Sequence, residues 1–179
     1  MKKAIVLLLL CLVVFWLGRI ISINQNPPII TYYSIGDTVD YGDLELFFAE
    51  SHFDELSEFN NRFGCNYENE YKGECKMISI CIEVTNKTEQ NINWNDIILY
   101  IGLGFKSKVW GSAPNAELLP VINKFDNEGL GSGKMQKIWL AAVISDLCFK
   151  HKTWEHLTDY QYYYMLPSSP QKIAVRLKL

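Results

Sequence analysis

Apolar and polar side chains alternate along residues 77–87, and this stretch is the clearest structural signal in the chain. Single residues separate Ile78, Ile80, Ile82 and Val84, so a β-strand would place all four side chains on one face. A polar Asn-Lys-Thr turn then ends the alternation. We therefore predict that this stretch is the central strand of a β-sandwich, with no catalytic group on its buried face.

The same period of two recurs in other segments, with turn residues between them. The further predicted strands lie at residues 35–41, 44–49, 96–101, 135–144, 159–166 and 171–179. A spacing of three or four residues between apolar positions predicts a short helix within residues 52–63, ending at Gly64. Because strands dominate and turns separate them, we expect a mainly β protein, an antiparallel β-sandwich with a short helical insertion, over residues 35–179.

The N-terminal segment is apolar on every face. Lys2 and Lys3 precede residues 4–23, which as a helix would reach about 30 Å and span a bilayer core. Basic residues favour the cytoplasmic side, so the remainder of the chain is predicted to be exported. The run lacks the small-residue pattern of a cleavage site. We expect a single transmembrane signal anchor over residues 1–23, with a cleaved signal peptide as the alternative, and a linker over residues 24–34.

Composition narrows the function classes. The formal net charge is −3, and no block rich in Lys or Arg occurs beyond the N-terminus. Nucleic-acid binding usually requires a basic face, so we expect no nucleic-acid partner. Aromatic residues make up 13% of the chain. Tyr and Trp favour half-buried strand surfaces and interfaces, which suits a binding protein.

Tyrosines cluster near the C-terminus, where they alternate along a predicted strand. The candidate binding patch consists of Trp154, Tyr160, Tyr162 and Tyr164. Aromatic side chains on one strand face can stack on sugars or line a partner surface. The alternative interpretation is that one face of this strand belongs to the core.

Five cysteines occur, and an exported domain permits their oxidation. Cys65 and Cys75 bracket a polar loop and are the preferred disulfide candidates. Cys81 and Cys148 are a second candidate pair. The alternative is that the cysteines are thiols that pack as small apolar side chains.

Cys148, His151 and His156 form the spacing C-x2-H-x4-H. Sulfur and imidazole ligands at such spacing suit Zn²⁺, which makes these residues weak metal candidates. A fourth ligand is not evident nearby, so we expect surface histidines and no cofactor. Signatures of nucleophilic catalysis, phosphate-binding loops and dinucleotide sites are absent from the sequence. We expect no enzymatic activity; the alternative is a cell-envelope metalloprotein or hydrolase that uses these three residues.

Several short motifs occur in a recognisable order. They are Gly-Asp-Thr-Val at 36–39, Tyr-Gly-Asp-Leu-Glu-Leu at 41–46, Ile-Glu-Val-Thr-Asn-Lys-Thr at 82–88, Leu-Gly-Ser-Gly at 130–133, and a terminal strand at 173–177. In this order they resemble uncharacterised, immunoglobulin-like extracytoplasmic domains of membrane-anchored proteins and lipoproteins of Gram-positive bacteria.

The resemblance implies a domain that acts in binding or surface interaction and has no established catalytic residues. Our expectation is therefore a membrane-anchored, extracytoplasmic binding or protein-interaction module of the bacterial cell surface. Its N-terminal helix would contact the membrane, and its partner would be an unknown protein or surface ligand.

Overall fold

Within residues 2–25, 29–67, 70–167 and 172–179, which the computed structural model describes, nine strands form two sheets. The strands are β1 (Ile30–Ser34), β2 (Thr38–Tyr41), β3 (Leu44–Glu55), β4 (Cys75–Asn86), β5 (Gly104–Lys106), β6 (Gly111–Ser112), β7 (Met135–Ser145), β8 (Tyr163–Leu166) and β9 (Lys172–Arg176). The α-helices are α1 (Lys2–Gln25), α2 (Leu56–Phe63), α3 (Trp94–Ile101), α4 (Leu119–Ile122) and α5 (His151–Glu155). Short 3-10 turns span Asp146–Cys148 and Leu157–Asp159.

The two sheets are named A and B. Sheet A has the strand order β1-β9-β8-β5-β6, and sheet B has the order β2-β3-β4-β7. All pairs are antiparallel except β1 and β9, which run parallel. The predicted mainly β sandwich is confirmed, with short helices between its strands.

β4 is the predicted central strand, and it pairs with β3 on one side and with β7 on the other. Ile80 lies opposite Leu140 of β7, and Val84 lies opposite Leu46 of β3. The hairpin of β2 and β3 turns at Gly42, as predicted, and Gly42 has a φ of 64° that favours glycine. β4 is therefore an inner strand of sheet B, and its alternate residues Ile78, Ile80, Ile82 and Val84 face the main core.

The main core lies between the inner faces of the two sheets. Sheet B contributes branched side chains such as Ile80 and Leu140, and sheet A contributes Tyr162, Tyr164 and Val175, all fully buried. Burying side chains of this size contributes about 1.5–3 kcal/mol each. The two tyrosines face this core because they alternate with Tyr163 on β8, whose side chain lies on the outer face.

The outer face of sheet B is covered by α2 and by the segment that contains α4. Phe59 of α2, Leu118 and Ile122 pack with Met77 of β4 and Ala141 of β7 in a second buried cluster. The structure thus has apolar packing on both faces of sheet B over part of its area.

The predicted helix within residues 52–63 begins later than expected. Residues up to Glu55 continue β3, and His52 pairs in register with Ser79 of β4. Glu55 then caps α2: its side chain accepts from the backbone of Glu58, and the Glu58 side chain accepts from the Glu55 backbone. This capping box satisfies two helix-terminal N–H groups and sets the boundary. Gly64 ends the helix in the left-handed conformation, as predicted.

Residues 94–101 form α3, so the strand predicted at residues 96–101 is wrong. Asn93 caps the helix through its side chain, which accepts from the backbone N–H of Asn95 at 2.8 Å. Ile97 and Ile101, four residues apart, face the main core. A short apolar run fits a strand or a helix equally well by periodicity, and the cap decides here.

The outer edge of β7 is covered by two asparagine side chains. Asn123 accepts from the Trp139 N–H at 2.7 Å and donates to the Trp139 carbonyl at 2.8 Å. Asn115 accepts from the Val143 N–H at 3.1 Å. These bonds replace those of a missing neighbouring strand, which protects an edge that would otherwise pair with another chain.

The sandwich begins before residue 35, since β1 lies within the predicted linker of residues 24–34 and pairs with β9. Residues 26–28 of that linker lie outside the described residues. Every side chain of α1 that the structure describes is exposed. Within the described part of the chain, no helix combines the length and the apolar content that crossing a bilayer requires.

Candidate functional site

The outer surface of sheet A presents side chains from four strands. Period-two alternation places them there: residues 30, 32 and 34 of β1 are exposed, while Tyr33 packs against the core. We use the name basic face for the outward side chains on the strands of sheet A together with the adjacent Lys108 in the turn between β5 and β6: Tyr32, Lys106, Lys108, Tyr163, Met165, Lys172 and Arg176. Strand register sets their positions: Tyr163 lies opposite both Lys106 and Arg176.

Positive charge on the basic face is not balanced by acidic side chains. The strands of sheet A contain Lys106, Lys172 and Arg176 but no Asp or Glu. Lys108 follows in the turn between β5 and β6. Among the described residues, none of these four cations forms an ion pair with a carboxylate. A protein with net charge −3 therefore has one face with the opposite sign.

Sheet B shows the opposite arrangement, because its cations are paired. Lys137 lies 3.3 Å from Glu83 on the neighbouring strand. Lys76 of β4 pairs with Glu55 of β3. These contacts neutralise charge locally, as is usual for surface ion pairs. The unpaired cations of sheet A are thus a local feature and not a property of the whole surface.

Arg176 is held in position by a glutamine. Its Nε donates to Gln161 Oε1 at 2.7 Å. The Gln161 side chain in turn donates to the carbonyls of Tyr162 at 2.9 Å and Leu177 at 3.0 Å. This arrangement orients the guanidinium without neutralising its charge.

A groove of about 580 Å³ runs across the basic face near β5 and β6. Lys106, Lys108 and Lys172 line it, together with Met165 and Trp110. Gly104 also lines the groove, with a φ of 147°, and a Cβ there would lie 2.5 Å from the Ser112 carbonyl oxygen. Only glycine fits this close approach of the two strands. The volume is within the range of ligand pockets, about 300–1,000 Å³.

Two tyrosines provide an aromatic surface beside the cations. The rings of Tyr32 and Tyr163 meet edge to face with centroids 5.7 Å apart. Tyr32 is 62% exposed. Tyr presents an apolar ring with a polar hydroxyl, which suits a partly hydrated ligand surface.

Of the binding patch predicted at Trp154, Tyr160, Tyr162 and Tyr164, the last two residues belong to the core and not to the surface. Tyr162 and Tyr164 are both 0% exposed. Their hydroxyls donate to backbone carbonyls, of Leu157 at 3.1 Å and of Ile101 at 2.6 Å. Burial raises the pKa of Tyr162 to about 12 and that of Tyr164 well above 10.0. The prediction of alternation was right, but it assigned the core face of β8 to the surface.

Trp154 and Tyr160 are half-buried, and neither lines the groove on the basic face. The Trp154 indole N–H donates to Glu74 Oε2 at 2.9 Å, and the Lys76 ammonium lies 5.7 Å from the centroid of the Trp154 ring. Tyr160 packs against the main core. Trp154 contributes to a separate pocket of about 290 Å³.

The weak metal candidates are not brought together as a ligand set. His151 Nδ1 lies 3.4 Å from Glu155, and His156 Nδ1 lies 2.9 Å from Asp159. Cys148 is exposed in the 3-10 turn. No group of three or more potential metal-binding side chains occurs in the part of the chain that the structure describes.

All five cysteines are free thiols in this structure. Cys65 Sγ lies 3.5 Å from Asn60 Oδ1, and Cys75 Sγ lies 3.9 Å from the Lys72 carbonyl. Desolvation raises the pKa of both thiols. Cys81, on the covered face of sheet B, has its pKa raised to about 12, by burial first and by Glu50 second. Buried thiols with raised pKa values are poor nucleophiles.

The basic face was missed by sequence reasoning, although a signal exists. Residues 97–116 contain Lys106 and Lys108 but no acidic residue, and residues 160–179 contain three cations and none. Each segment is too short to be noticed as a basic block. The fold places them side by side as β5, β8 and β9.

Comparisons with known proteins agree with the fold. No family model matches the chain, and no curated protein matches it. The solved structure of an uncharacterised β-sandwich protein from Clostridium difficile 630 is similar to this chain, with a TM-score of 0.52 and 11% sequence identity. The alignment covers 86% of this chain and 99% of that one. A likeness at this identity shows that the chain is a β-sandwich protein.

Proposed function

We propose that this protein is a membrane-anchored, extracytoplasmic binding module that holds an anionic partner of the cell surface on its basic face, without catalytic activity. The unpaired cations of sheet A are the observation that supports it most directly. A charge without a partner in the free protein can gain an ion pair on binding without first breaking one. Complementary charge also increases the rate and specificity of association.

The membrane attachment and the export rest on the sequence. Residues 4–23 are apolar, Lys2 and Lys3 precede them, and the described side chains of α1 make no buried contact. An anchor of this orientation places the sandwich outside the cytoplasm, away from nucleic acid. The immunoglobulin-like character of the sandwich and its bacterial cell-surface location belong to the same proposal, on the strength of the motif order described above.

Sedimentation with isolated cell envelopes tests the proposal. The full chain, reconstituted in neutral-lipid nanodiscs, is mixed with envelopes of the source organism, and the bound fraction is measured. The face variant is Lys106→Gln/Lys108→Gln/Lys172→Gln. The control variant is Lys134→Gln/Lys150→Gln/Lys152→Gln, which removes the same charge from exposed lysines outside the basic face.

We expect the face variant to lose envelope binding by about tenfold, since three surface charge contacts at about 0.5 kcal/mol each total about 1.5 kcal/mol, and about 1.4 kcal/mol corresponds to tenfold. The control variant should bind like the unmodified protein. Equal binding by the two variants would overturn the assignment of function to this face.

A further inference from the structure

We infer that the ligand of the basic face is an acidic polysaccharide, a chain of sugar rings that carry anionic groups, lying across β9, β8 and β5. This inference rests on the proposed function and specifies its partner.

The spread of charge indicates a polymer and not a single anion. Lys172 and Arg176 are four residues apart on β9, which is about 13 Å at about 3.3 Å per residue. Lys106 lies level with Arg176, because both are opposite Tyr163. The backbone positions of the three cations are therefore spread over two strands and about 13 Å along one of them. A ligand with repeated charges satisfies them together.

Most cations of the basic face are lysines, which suits a ligand whose anionic groups are not fixed in position. Lys106, Lys108 and Lys172 each carry a compact ammonium on a flexible stem. Ammonium groups bind anions as point charges, whereas Arg recognises a planar anion through two parallel bonds. Three flexible point charges therefore fit a chain whose anionic groups vary in position.

The aromatic surface suits sugar rings. Tyr32 and Tyr163 present ring surface at the outer side of β1 and β8, and neither hydroxyl forms a hydrogen bond with another of the described residues. Sugars have apolar C–H faces and polar rims, which match the apolar body and polar tip of tyrosine. Between the lysines, Met165 supplies an adaptable apolar contact in the groove.

The shape of the site favours a chain over a bilayer surface. The site is a groove of about 580 Å³ whose lining comes from several strands of sheet A, including Gly104 of β5, Met165 of β8 and Lys172 of β9. A flat bilayer surface would contact only the rim of such a groove. A polymer can lie in the groove and contact both sides.

Affinity measurements with matched polymers test the inference. The full chain in neutral-lipid nanodiscs is titrated with polygalacturonate and with its fully methyl-esterified form, which keeps the sugar backbone and removes the charge. Dextran sulfate and neutral dextran form a second pair with another anionic group. Poly-L-glutamate and phosphatidylglycerol vesicles present anions without sugar rings. The face and control variants described above are titrated in parallel.

We expect at least one charged polysaccharide to bind about tenfold or more tightly than its neutral partner and than the sugar-free anions. The face variant and Tyr32→Ala should each weaken that binding, and rising salt should weaken it steeply, because the charges are exposed. The control variant should bind normally.

Two results would overturn the inference. The first is binding of the polysaccharides no tighter than that of poly-L-glutamate or the vesicles. The second is no difference between charged and neutral polymers. If envelope binding still depends on the face lysines in either case, the proposed function stands with another anionic partner; if it does not, both fail.

Discussion

The outer faces of the two sheets differ in how far other parts of the chain cover them and in whether their charged side chains form ion pairs. Sheet B covers much of its outer face with α2 and the α4 segment, and it pairs its cations with neighbouring carboxylates. On the outer face of sheet A, the lysines form no ion pair within the part of the chain that the structure describes, and they lie beside an arginine and two tyrosines. One sandwich thus contains a face that its own chain covers in part and a face whose charged side chains are exposed. Burial on the first stabilises the fold, and exposure on the second leaves groups free to bind.

Phe59→Ala should have the largest effect on stability. Phe59 is fully buried in the cluster over sheet B, and removing a buried aromatic ring costs about 3–5 kcal/mol of unfolding free energy. The measurement is urea unfolding of the full chain, monitored by circular dichroism. Tyr32→Ala on the open face is the control, and it should change stability by about 0.5 kcal/mol or less. Similar losses for both variants would contradict the difference between the faces.

Asn123→Ala should rank second, because it exposes the edge of β7. The variant loses the bonds to the Trp139 N–H and carbonyl and leaves buried groups unsatisfied. We expect a loss of about 1–3 kcal/mol and faster aggregation on storage. Asn95→Ala removes an exposed amide that makes no such bond and serves as the control. If the two variants aggregate at the same rate, the asparagine does not protect this edge.

Tyr162→Phe tests how a buried tyrosine on the inner face of sheet A contributes to the pH dependence of stability. Burial raises the Tyr162 pKa from 10.0 to about 12, so the folded state favours the neutral hydroxyl. The stability from this group is fully present below pH about 10 and is lost as pH rises towards 12. The phenylalanine variant loses about 1 kcal/mol at neutral pH with the Leu157 bond, but its stability should fall less steeply above pH 10. Urea unfolding at several alkaline pH values checks this; parallel pH profiles would contradict it.

The face variant should have the smallest effect on stability. Lys106, Lys108 and Lys172 are exposed and make no ion pair among the described residues, so replacing them by glutamine changes unfolding free energy by about 0.5 kcal/mol or less. Urea unfolding beside the control triple variant provides the measurement. A loss comparable to that of Asn123→Ala would show that these lysines are structural.

Strong periodicity predicted the main strands of sheet B, but it did not predict a short helix or the pairing of distant strands. β4, β7 and the β2–β3 hairpin were predicted because their alternation is long and ends at turn residues. α3 was missed because its apolar run is short, and only the Asn93 cap distinguishes helix from strand. The parallel pairing of β1 with β9 joins opposite ends of the described domain, and no local pattern indicates it.

The location of the candidate site could not be predicted from the sequence, for a further reason. Alternation established that Tyr162 and Tyr164 share a face, but it did not establish which face is buried. That depends on the position of β8 opposite the core strands of sheet B. The basic face is formed by β1, β5, β8 and β9, which are far apart in sequence, so its charge becomes visible only when the fold assembles them.

The most direct test of the open face is lysine acetylation of the full chain, free and bound to isolated envelopes, with each site quantified by mass spectrometry. Binding on the basic face predicts that Lys106, Lys108 and Lys172 become several-fold less reactive in the bound state. Lys134, Lys150 and Lys152 should react equally in both states. Protection of the second group, or of neither, would contradict the assignment of the ligand to the outer face of sheet A.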